Sequence, residues 1–275
     1  MLIKSFHDVE SLGVLINPFP NVENLGGKGY QLSLLNNICL VPEFFVICFE
    51  NDNAIDILSV QEEIIKVFDL HNFECVSVRS SATVEDSKNA SFAGMFNTKL
   101  NITKDKLIRS IHEVFKSSKN ERVVEYCKLI GVDINDIKVR IVVQRMVNSN
   151  VAGVSITKDP GNPDIMLIEA CWGIGETLVS GMITPDTYKV KRSNLVIESL
   201  TIGYQKKILT PNNGIQDVPF HRRNAKKLKD TELIELSKIC LFIEKELNYQ
   251  IADIEWAFEN GKLYILQARP FVGKI

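Results

Sequence analysis

The second half of the chain carries a series of short β-type runs that do not alternate regularly with helices. Gly, Pro and Asn turns separate these runs, which cover residues 153–157, 165–170, 187–191 and 195–202. A doubly wound parallel sheet requires a helix between successive strands, so the pattern disfavours that class. The sequence therefore predicts an α+β fold.

Composition limits the classes of function that remain. The 275 residues include 32 Lys plus Arg and 34 Asp plus Glu, which gives a net charge of −2. A near-neutral chain lacks the broad basic field of a general nucleic-acid binder. The most apolar stretch, residues 38–49, is interrupted by Pro42 and Glu43 and is too short to cross a bilayer. We therefore expect a globular protein that binds neither nucleic acid nor membrane.

The six cysteines lie far apart, no C-x-x-C pair occurs, and the first residues show no secretory signal pattern. Dispersed thiols of this kind are typical of a reducing compartment, so the sequence predicts a cytoplasmic protein. None of the four histidines lies in a small-residue loop that would expose a nucleophilic imidazole.

The end of the chain predicts a β-hairpin with a polar face. Two β-type runs, residues 254–258 and 263–267, flank an Asn-Gly pair, which is a favoured hairpin turn. The arms carry four polar side chains, Asp253, Glu255, Gln267 and Arg269. Residues two apart on a strand share a face, so the oxygens of Glu255 and Gln267 could converge on Mg²⁺ beside a guanidinium. The alternative is a hairpin with an ordinary solvent-facing polar side.

Two segments of the first half are candidate anion-binding loops. Gly26-Gly27-Lys28-Gly29 precedes a helix predicted over residues 30–35, and glycine N–H groups, a helix N-terminus and a lysine together suit a phosphate. Arg79 follows a strand predicted over residues 76–78, where its guanidinium could bind phosphate oxygens. The alternatives are an ordinary turn for the glycine motif and a surface ion pair for Arg79.

Three further segments have competing interpretations. Gly94 and Thr98 are either a close backbone approach and a hydroxyl donor or ordinary turn and strand residues. The glycine-rich loop at residues 172–181 lacks the third glycine of a dinucleotide fingerprint, which disfavours a dehydrogenase. The basic run at residues 221–229 is interpreted as a solvated lead into a helix predicted over residues 229–247, with docking or anion steering as the alternative.

Taken in order, these segments resemble the N-terminal ATP-binding domain of the phosphoenolpyruvate synthase and pyruvate phosphate dikinase family. The resemblance runs from Gly26 to Pro270, and eight stretches carry it: GGKGYQLSLL, VPEFFVI, VRSSATVEDS, SFAGMFNT, VVQRMV, TKDP, EACWGIGETLVSGMITPD and DIEWAFENGKLYILQARP. It implies an ATP-grasp-like fold with two subdomains of mainly antiparallel or mixed sheets that enclose a nucleotide cleft. Residues 1–147 would carry the phosphate-binding Lys and Arg loops, and residues 148–275 the metal-binding hairpin.

The resemblance also implies roles for individual residues. ATP phosphates would be bound by three catalytic groups, Lys28, Arg79 and Arg269. Mg²⁺ would be ligated by Glu255 and Gln267, with Asp253 nearby. Gly94 and Thr98 would belong to a loop over the phosphates. Four consecutive residues would line the adenine, with backbone groups contacting its edge: Gln144, Arg145, Met146 and Val147.

In this family, ATP gives its β-phosphoryl group to a histidine on a separate swivelling domain, and AMP and phosphate are formed. No segment of this chain resembles the Thr-Ser-His loop of that domain. The resemblance therefore implies a module that needs a histidine domain in trans or in a longer parent chain. The final acceptor stays open between pyruvate and another small molecule, such as a rifamycin-type antibiotic or an amino-acid amide. A non-catalytic nucleotide-binding regulatory module is the alternative from another class.

Overall fold

The computed structural model describes residues 2–5, 21–48, 57–83, 97–118, 120–211 and 213–271. Gly94 lies outside the described residues, so its predicted place over the phosphates stays a prediction. The chain divides into two compact units, a first of residues 1–33 and 42–146 and a second of residues 34–41 and 147–275. The functional assignment predicted for residues 1–147 and 148–275 stays a prediction.

The first unit is built on a five-stranded antiparallel sheet with the strand order β1-β2-β5-β3-β4. Its strands are β1 (Leu2–Ser5), β2 (Phe44–Cys48), β3 (Val76–Ala82), β4 (Thr98–Ile102) and β5 (Val139–Arg145). Its helices are α1 (Val22–Leu35), α2 (Gln61–Leu70), α3 (Lys104–Ser117) and α4 (Glu121–Ile130), with short 3-10 turns at Ile57–Val60 and Ile134–Asp136. The strand predicted over residues 76–78 is confirmed, because β3 covers it.

One face of this sheet is apolar. Val78 of β3 and Val143 of β5 are directly opposite each other, and both are fully buried. They belong to a core cluster that includes Ile64 of α2 and Ile111 of α3. Because successive side chains of a strand point to opposite faces, the intervening residues of β3 and β5 face the other way. Those residues include Arg79 and Ser81 of β3 and Arg140 and Gln144 of β5.

Helix α1 lies against that second face. A Cβ added at Gly29 would come within 3.3 Å of a Val46 methyl group and 3.6 Å of a Val142 methyl group, so the helix backbone packs directly on the sheet. The helix begins at Val22, before the predicted start at Tyr30, because Asn21 caps it: the side-chain oxygen of Asn21 accepts the Asn24 N–H at 2.8 Å. A kink at Gly26 (φ 68°, ψ 175°) interrupts the helix at the glycine motif.

The second unit is built on a six-stranded antiparallel sheet with the order β13-β12-β6-β7-β8-β9. Its strands are β6 (Val151–Ile156), β7 (Ile165–Trp172), β8 (Asp186–Lys191), β9 (Ile197–Thr201), β12 (Ala252–Glu259) and β13 (Lys262–Pro270). A separate two-stranded hairpin, which was not predicted, consists of β10 (Lys207–Thr210) and β11 (Gly214–Asp217). The helices are α5 (Glu176–Val179) and α6 (Asp230–Glu246), with a 3-10 turn at Phe220–Arg222.

Helix α6 packs against β12 and buries the core face of this sheet. Trp256 is fully buried there, and its indole N–H donates to the Ser155 hydroxyl of β6 at 2.9 Å. The strand pairings in both sheets are antiparallel, so the predicted α+β class is confirmed. No parallel βαβ unit occurs among the described residues, which removes the support for a dehydrogenase. Among the same residues, no helix has the length and apolar character to cross a membrane.

Candidate functional site

The terminal hairpin brings the four predicted polar side chains together. Asp253 lies directly opposite Arg269, and Glu255 lies directly opposite Gln267. The turn at Asn260 (φ 52°) and Gly261 (φ 78°) has two residues with positive φ, as an Asn-Gly hairpin turn requires. The predicted hairpin is therefore confirmed, and its polar residues form two cross-strand pairs.

A β-bulge makes this arrangement possible. Trp256 pairs with Ile265 across the hairpin. In a regular ladder Glu255 would then pair with Leu266, and the Gln267 side chain would point to the other face of the sheet. The register instead shifts between Glu255 and Trp256, so that Glu255 is opposite Gln267. Leu266 is the extra residue in the bulge. The bulge therefore places Gln267 and Arg269 on the same face as the two carboxylates.

The first cross-strand pair, Asp253 and Arg269, is an ion pair with defined geometry. Arg269 donates from Nε and Nη2 to the same oxygen, Oδ2 of Asp253, at 2.9 and 2.8 Å. The two side chains are partly exposed, at 37% for Arg269 and 20% for Asp253. Asp253 thus fixes the plane of the guanidinium while solvent still reaches it.

The second cross-strand pair, Glu255 and Gln267, fits a magnesium ion. The side chains of directly opposed residues have Cβ atoms about 4.5–5.5 Å apart, so the carboxylate of Glu255 and the amide oxygen of Gln267 can approach one cation. Mg²⁺ takes oxygen ligands, and it usually has only one or two carboxylates from the protein while it keeps waters and binds substrate phosphates. Gln267 is buried and Glu255 is half-buried. The described residues contain no group of three or more His, Cys, Asp or Glu side chains that could form an all-protein metal site.

Sequence reasoning missed one carboxylate on this face. Glu255 is opposite Val154 of β6, and Val154 is opposite Glu169 of β7, so Glu169 lies in the same row two strands away. Glu169 belongs to the stretch EACWG that carries the resemblance, but its place beside the hairpin depends on the strand order. The strand order has no local signal in the sequence.

In the first unit, the structure surrounds Arg79 with predicted site residues. Arg79 of β3 is buried, with 8% of its surface exposed, so the surface ion pair is wrong as an interpretation. Its Nη1 donates to Oε1 of Gln144 at 3.3 Å. Thr98 of β4 is directly opposite Arg79 and is exposed. The predicted phosphate-binding arginine thus contacts the first residue of the predicted adenine segment.

In the predicted adenine segment, residues 144–147, two backbone donors are occupied by hydrogen bonds within the protein. The N–H of Arg145 donates to the Glu43 carbonyl at 2.8 Å, and the N–H of Met146 donates to the Cys75 carbonyl at 3.0 Å. The side-chain amide nitrogen of Gln144, by contrast, is buried and has no hydrogen-bond partner among the described residues. A buried donor without a partner is costly, so Gln144 is well suited to donate to a ligand. Val147 is buried in a cluster with Ala152 and Ala257.

Two residues of the basic run at residues 221–229 have structural contacts within the second unit. Lys227, in the basic run at residues 221–229, is fully buried in an ion pair with Asp186, so a solvated run is wrong for that residue. Arg222 of the same run stacks 4.2 Å above the Trp172 ring.

Burial raises the pKa of the Cys39, Cys171 and Cys240 thiols to about 12, so none of the three supplies a thiolate nucleophile at neutral pH. None of the six cysteines forms a disulfide bond.

Most of the chain matches the model of a known protein family. Residues 49–274 match the family model described as the pyruvate phosphate dikinase AMP/ATP-binding domain. The matched range contains Arg79 and the terminal hairpin, whereas Lys28 lies before it. The resemblance stated from the sequence motifs is confirmed.

Curated proteins with related sequences are longer than this chain. A probable phosphoenolpyruvate synthase of Methanocaldococcus jannaschii is 40% identical over 202 residues, which are 71% of this chain and 17% of that protein. The phosphoenolpyruvate synthase of Escherichia coli is 37% identical over 214 residues, 70% of this chain and 27% of that protein. A rifampicin phosphotransferase of Streptomyces sviceus is 33% identical over 199 residues, 70% of this chain and 23% of that protein. The chain thus spans less than a third of each of these relatives.

Solved structures show weaker likeness. A D-alanine–D-alanine ligase of Helicobacter pylori has a TM-score of 0.43 at 8% identity and covers 90% of this chain and 54% of that one. The D-alanine–D-alanine ligase of Bacillus anthracis in complex with ATP has a TM-score of 0.38 at 12% identity, with coverage of 88% and 53%.

Proposed function

Because the chain belongs to the pyruvate phosphate dikinase AMP/ATP-binding domain family, we propose that it is the ATP·Mg²⁺-binding module of a phosphotransferase with an ATP-grasp-like fold. The observation that carries the proposal is the polar face of the terminal hairpin, where Glu255 and Gln267 form one cross-strand pair and Asp253 orients Arg269 in the next. Carboxylate, amide oxygen and guanidinium on one face are the groups that a magnesium–polyphosphate complex requires.

Each group has a distinct role in the proposal. Glu255 and Gln267 would hold Mg²⁺, which would supply positive charge to neutralise the phosphates of the nucleotide. Lys28, Arg79 and Arg269 bind phosphate oxygens, so that the charge developing in the transition state meets cations that are already in place. Arg79 is held by Gln144 and Arg269 by Asp253, and such fixed cations need little reorganisation during the reaction. Gly94 and Thr98 would belong to a loop over the phosphates, and residues 144–147 would line the adenine.

The reaction proposed is transfer of the β-phosphoryl group of ATP to a histidine imidazole on a separate swivelling domain. The bond between the α- and β-phosphates breaks and AMP leaves, while water takes the γ-phosphate as inorganic phosphate. The histidine domain is supplied in trans or by a longer parent chain. Sequence relatives include both phosphoenolpyruvate synthases and rifampicin phosphotransferases, which supports leaving the final acceptor open between pyruvate and another small molecule. We expect the module to act in the cytoplasm, consistent with the absence of a disulfide bond among its six cysteines.

Calorimetric titration of ATP into the full chain, with and without Mg²⁺, tests the nucleotide site. Glu255→Gln keeps the shape of the side chain but removes its charge, and should lose most of the gain in affinity that Mg²⁺ gives. Glu235→Gln, the same change on the exposed side of α6, is the matched control and should bind like the wild type. Absence of ATP binding under both conditions would refute the proposal.

A second measurement separates a catalytic from a regulatory module. The chain alone should form little AMP from ATP, whereas addition of the histidine domain of a relative should release AMP and label the histidine. Arg269→Ala should abolish that labelling. ATP binding without any labelling of the histidine would favour the non-catalytic regulatory module.

A further inference from the structure

The glycine motif Gly26 to Gly29 is held by a serine from a distant part of the chain. The Ser81 hydroxyl of β3 accepts the Gly29 N–H at 3.0 Å and donates to the Leu25 carbonyl at 2.8 Å. Ser81 is fully buried. Its two hydrogen bonds therefore fasten the backbone on both sides of Lys28.

The geometry of the kink explains why this hydroxyl is needed. Gly26 has non-helical dihedral angles, so it is the N-cap of the helical segment that continues through Gly27, Lys28 and Gly29. An N-cap side chain normally supplies an oxygen to the N–H two or three residues later, and glycine has none. A Cβ at Gly26 would lie 2.1 Å from the Ser81 carbonyl oxygen, so no other residue fits. Ser81, 52 residues away from Gly29, supplies the missing cap.

Arg140 provides a second, separate contact to the same helix. It lies directly opposite Ser81 on β5 and is 6% exposed. Its Nη2 donates to the Glu23 carbonyl at 3.2 Å, in the turn before the glycine motif. The polar face of β3 and β5 thus fixes the helix at three backbone atoms.

We propose that Ser81 is the positioning residue of the Lys28 loop: its hydroxyl fixes the backbone that presents the Lys28 ammonium group to ATP phosphates. The inference rests on the proposed function, in which Lys28 binds those phosphates. Ser81 contacts neither Lys28 nor the nucleotide in this role, and it acts only through the Gly29 N–H and the Leu25 carbonyl. Loss of the hydroxyl leaves a buried N–H and a buried carbonyl without this partner, so the loop samples more conformations.

The test compares Ser81→Ala with Ser80→Ala in the full chain. Ser80 is the matched control because it is equally buried but points to the opposite face, where its hydroxyl lies 3.4 Å from the Asn97 carbonyl. Hydrogen exchange of the peptide covering residues 22–35 is measured without nucleotide, and ATP affinity is measured with Mg²⁺. Ser81→Ala should speed exchange at Gly29 and weaken ATP binding about five- to tenfold, the size typical of a lost N-cap. Ser80→Ala should change neither.

A double-mutant cycle shows whether Ser81 acts through the lysine. In a Lys28→Met background, Ser81→Ala should cause no further loss of ATP affinity, because the group that it positions is already absent. An undiminished effect in that background would overturn the positioning role. If Ser81→Ala does not fold, Ser81→Thr and Ser81→Val replace it: they have the same shape and differ only in the hydroxyl, and only the threonine should retain slow exchange.

The two readouts separate failure of this inference from failure of the proposed function. If the wild-type protein binds ATP, and Ser81→Ala equals Ser80→Ala in hydrogen exchange and in ATP affinity, only the role of Ser81 is overturned. Wild-type protein that binds no ATP overturns the proposed function and, with it, the positioning of Lys28 for phosphates. Faster exchange together with the selective loss of affinity supports both.

Discussion

Replacement of Lys227 by methionine should destabilise the second unit strongly, because the lysine neutralises a carboxylate that water does not reach. The side chains of Lys227 and Asp186 are both 0% exposed, and Nζ lies 2.7 Å from Oδ1 of Asp186. The ammonium also donates to the Gly203 carbonyl at 2.6 Å. Methionine fills a similar volume but makes neither bond.

The expected loss follows from what remains around Asp186. Removal of one partner of a buried ion pair costs about 3–5 kcal/mol. Three donors stay with Asp186 after the change: the N–H of Gly203 and that of residue 227, both at 2.9 Å, and the Tyr188 hydroxyl at 3.1 Å. Burial raises the pKa of Tyr188, so its hydroxyl remains protonated and can donate. These donors place the expected loss at the lower end, about 3–4 kcal/mol.

Urea unfolding, monitored by tryptophan fluorescence, measures the free energy lost in the second unit, because both tryptophans of the chain, Trp172 and Trp256, belong to that unit. The adjacent Lys226→Met is the matched control: its ion pair with Asp230 is partly exposed and should be worth less than about 1 kcal/mol. The double variant with Asp186→Asn should recover about 1–3 kcal/mol relative to the sum of the two single changes. If Lys227→Met costs no more than Lys226→Met, the reasoning from burial is wrong.

Two other perturbations have outcomes that the structure determines. Burial of Glu244 alone would raise its pKa. Hydrogen bonds with Arg192 and Thr157, together with the charges of Arg192 and Lys158, outweigh burial and hold the pKa below the ordinary value. The resulting stability is complete above about pH 4.3 and is lost as pH falls through the folded pKa, so the urea midpoint of Glu244→Gln should fall less between pH 5 and pH 3 than that of the wild type. Gly26→Ala should cost about 2–4 kcal/mol by thermal or urea unfolding, since its backbone conformation is almost restricted to glycine and a Cβ would overlap the Ser81 carbonyl. Gly131→Ala, which has positive φ but no atom within 4 Å, should cost only about 1–2 kcal/mol, and an equal cost at both sites would contradict the argument.

Local signals in the sequence were enough for most of the elements that carry the site. The Asn-Gly pair predicts the terminal hairpin, because both turn residues need positive φ and these two adopt it at low cost. The apolar positions of the helix predicted over residues 229–247 include Leu236 and Cys240, and both are fully buried in α6. Periodicity predicts such elements because each depends on residues within one or two turns or one strand.

Contacts between distant residues could not be predicted in the same way. Lys227 has the same sequence context as its basic neighbours, and only the fold brings Asp186, 41 residues earlier, into contact with it. The same holds for Ser81, whose hydroxyl caps a helix 52 residues away. In both cases the polar group is buried because another segment supplies its partner, and sequence spacing contains no information about that segment.

The terminal hairpin shows why the convergence of candidate site residues depends on one irregularity. From the turn, regular pairing would place Gln267 and Arg269 on the face opposite to Asp253 and Glu255, because a shift of one residue reverses the direction of every side chain. The bulge at Leu266 provides that shift, and it lies between Ile265, which is buried opposite Trp256, and Gln267, which is opposite Glu255. The strand therefore satisfies two demands that strict alternation cannot meet together. It buries an apolar residue near the turn, and two positions later it places polar residues on the face of the proposed nucleotide site. Bulges are common beside active sites for this reason, since they redirect a side chain without changing the rest of the sheet. On this argument, the metal and phosphate chemistry proposed for the hairpin depends on backbone register as directly as on the identity of its four polar residues.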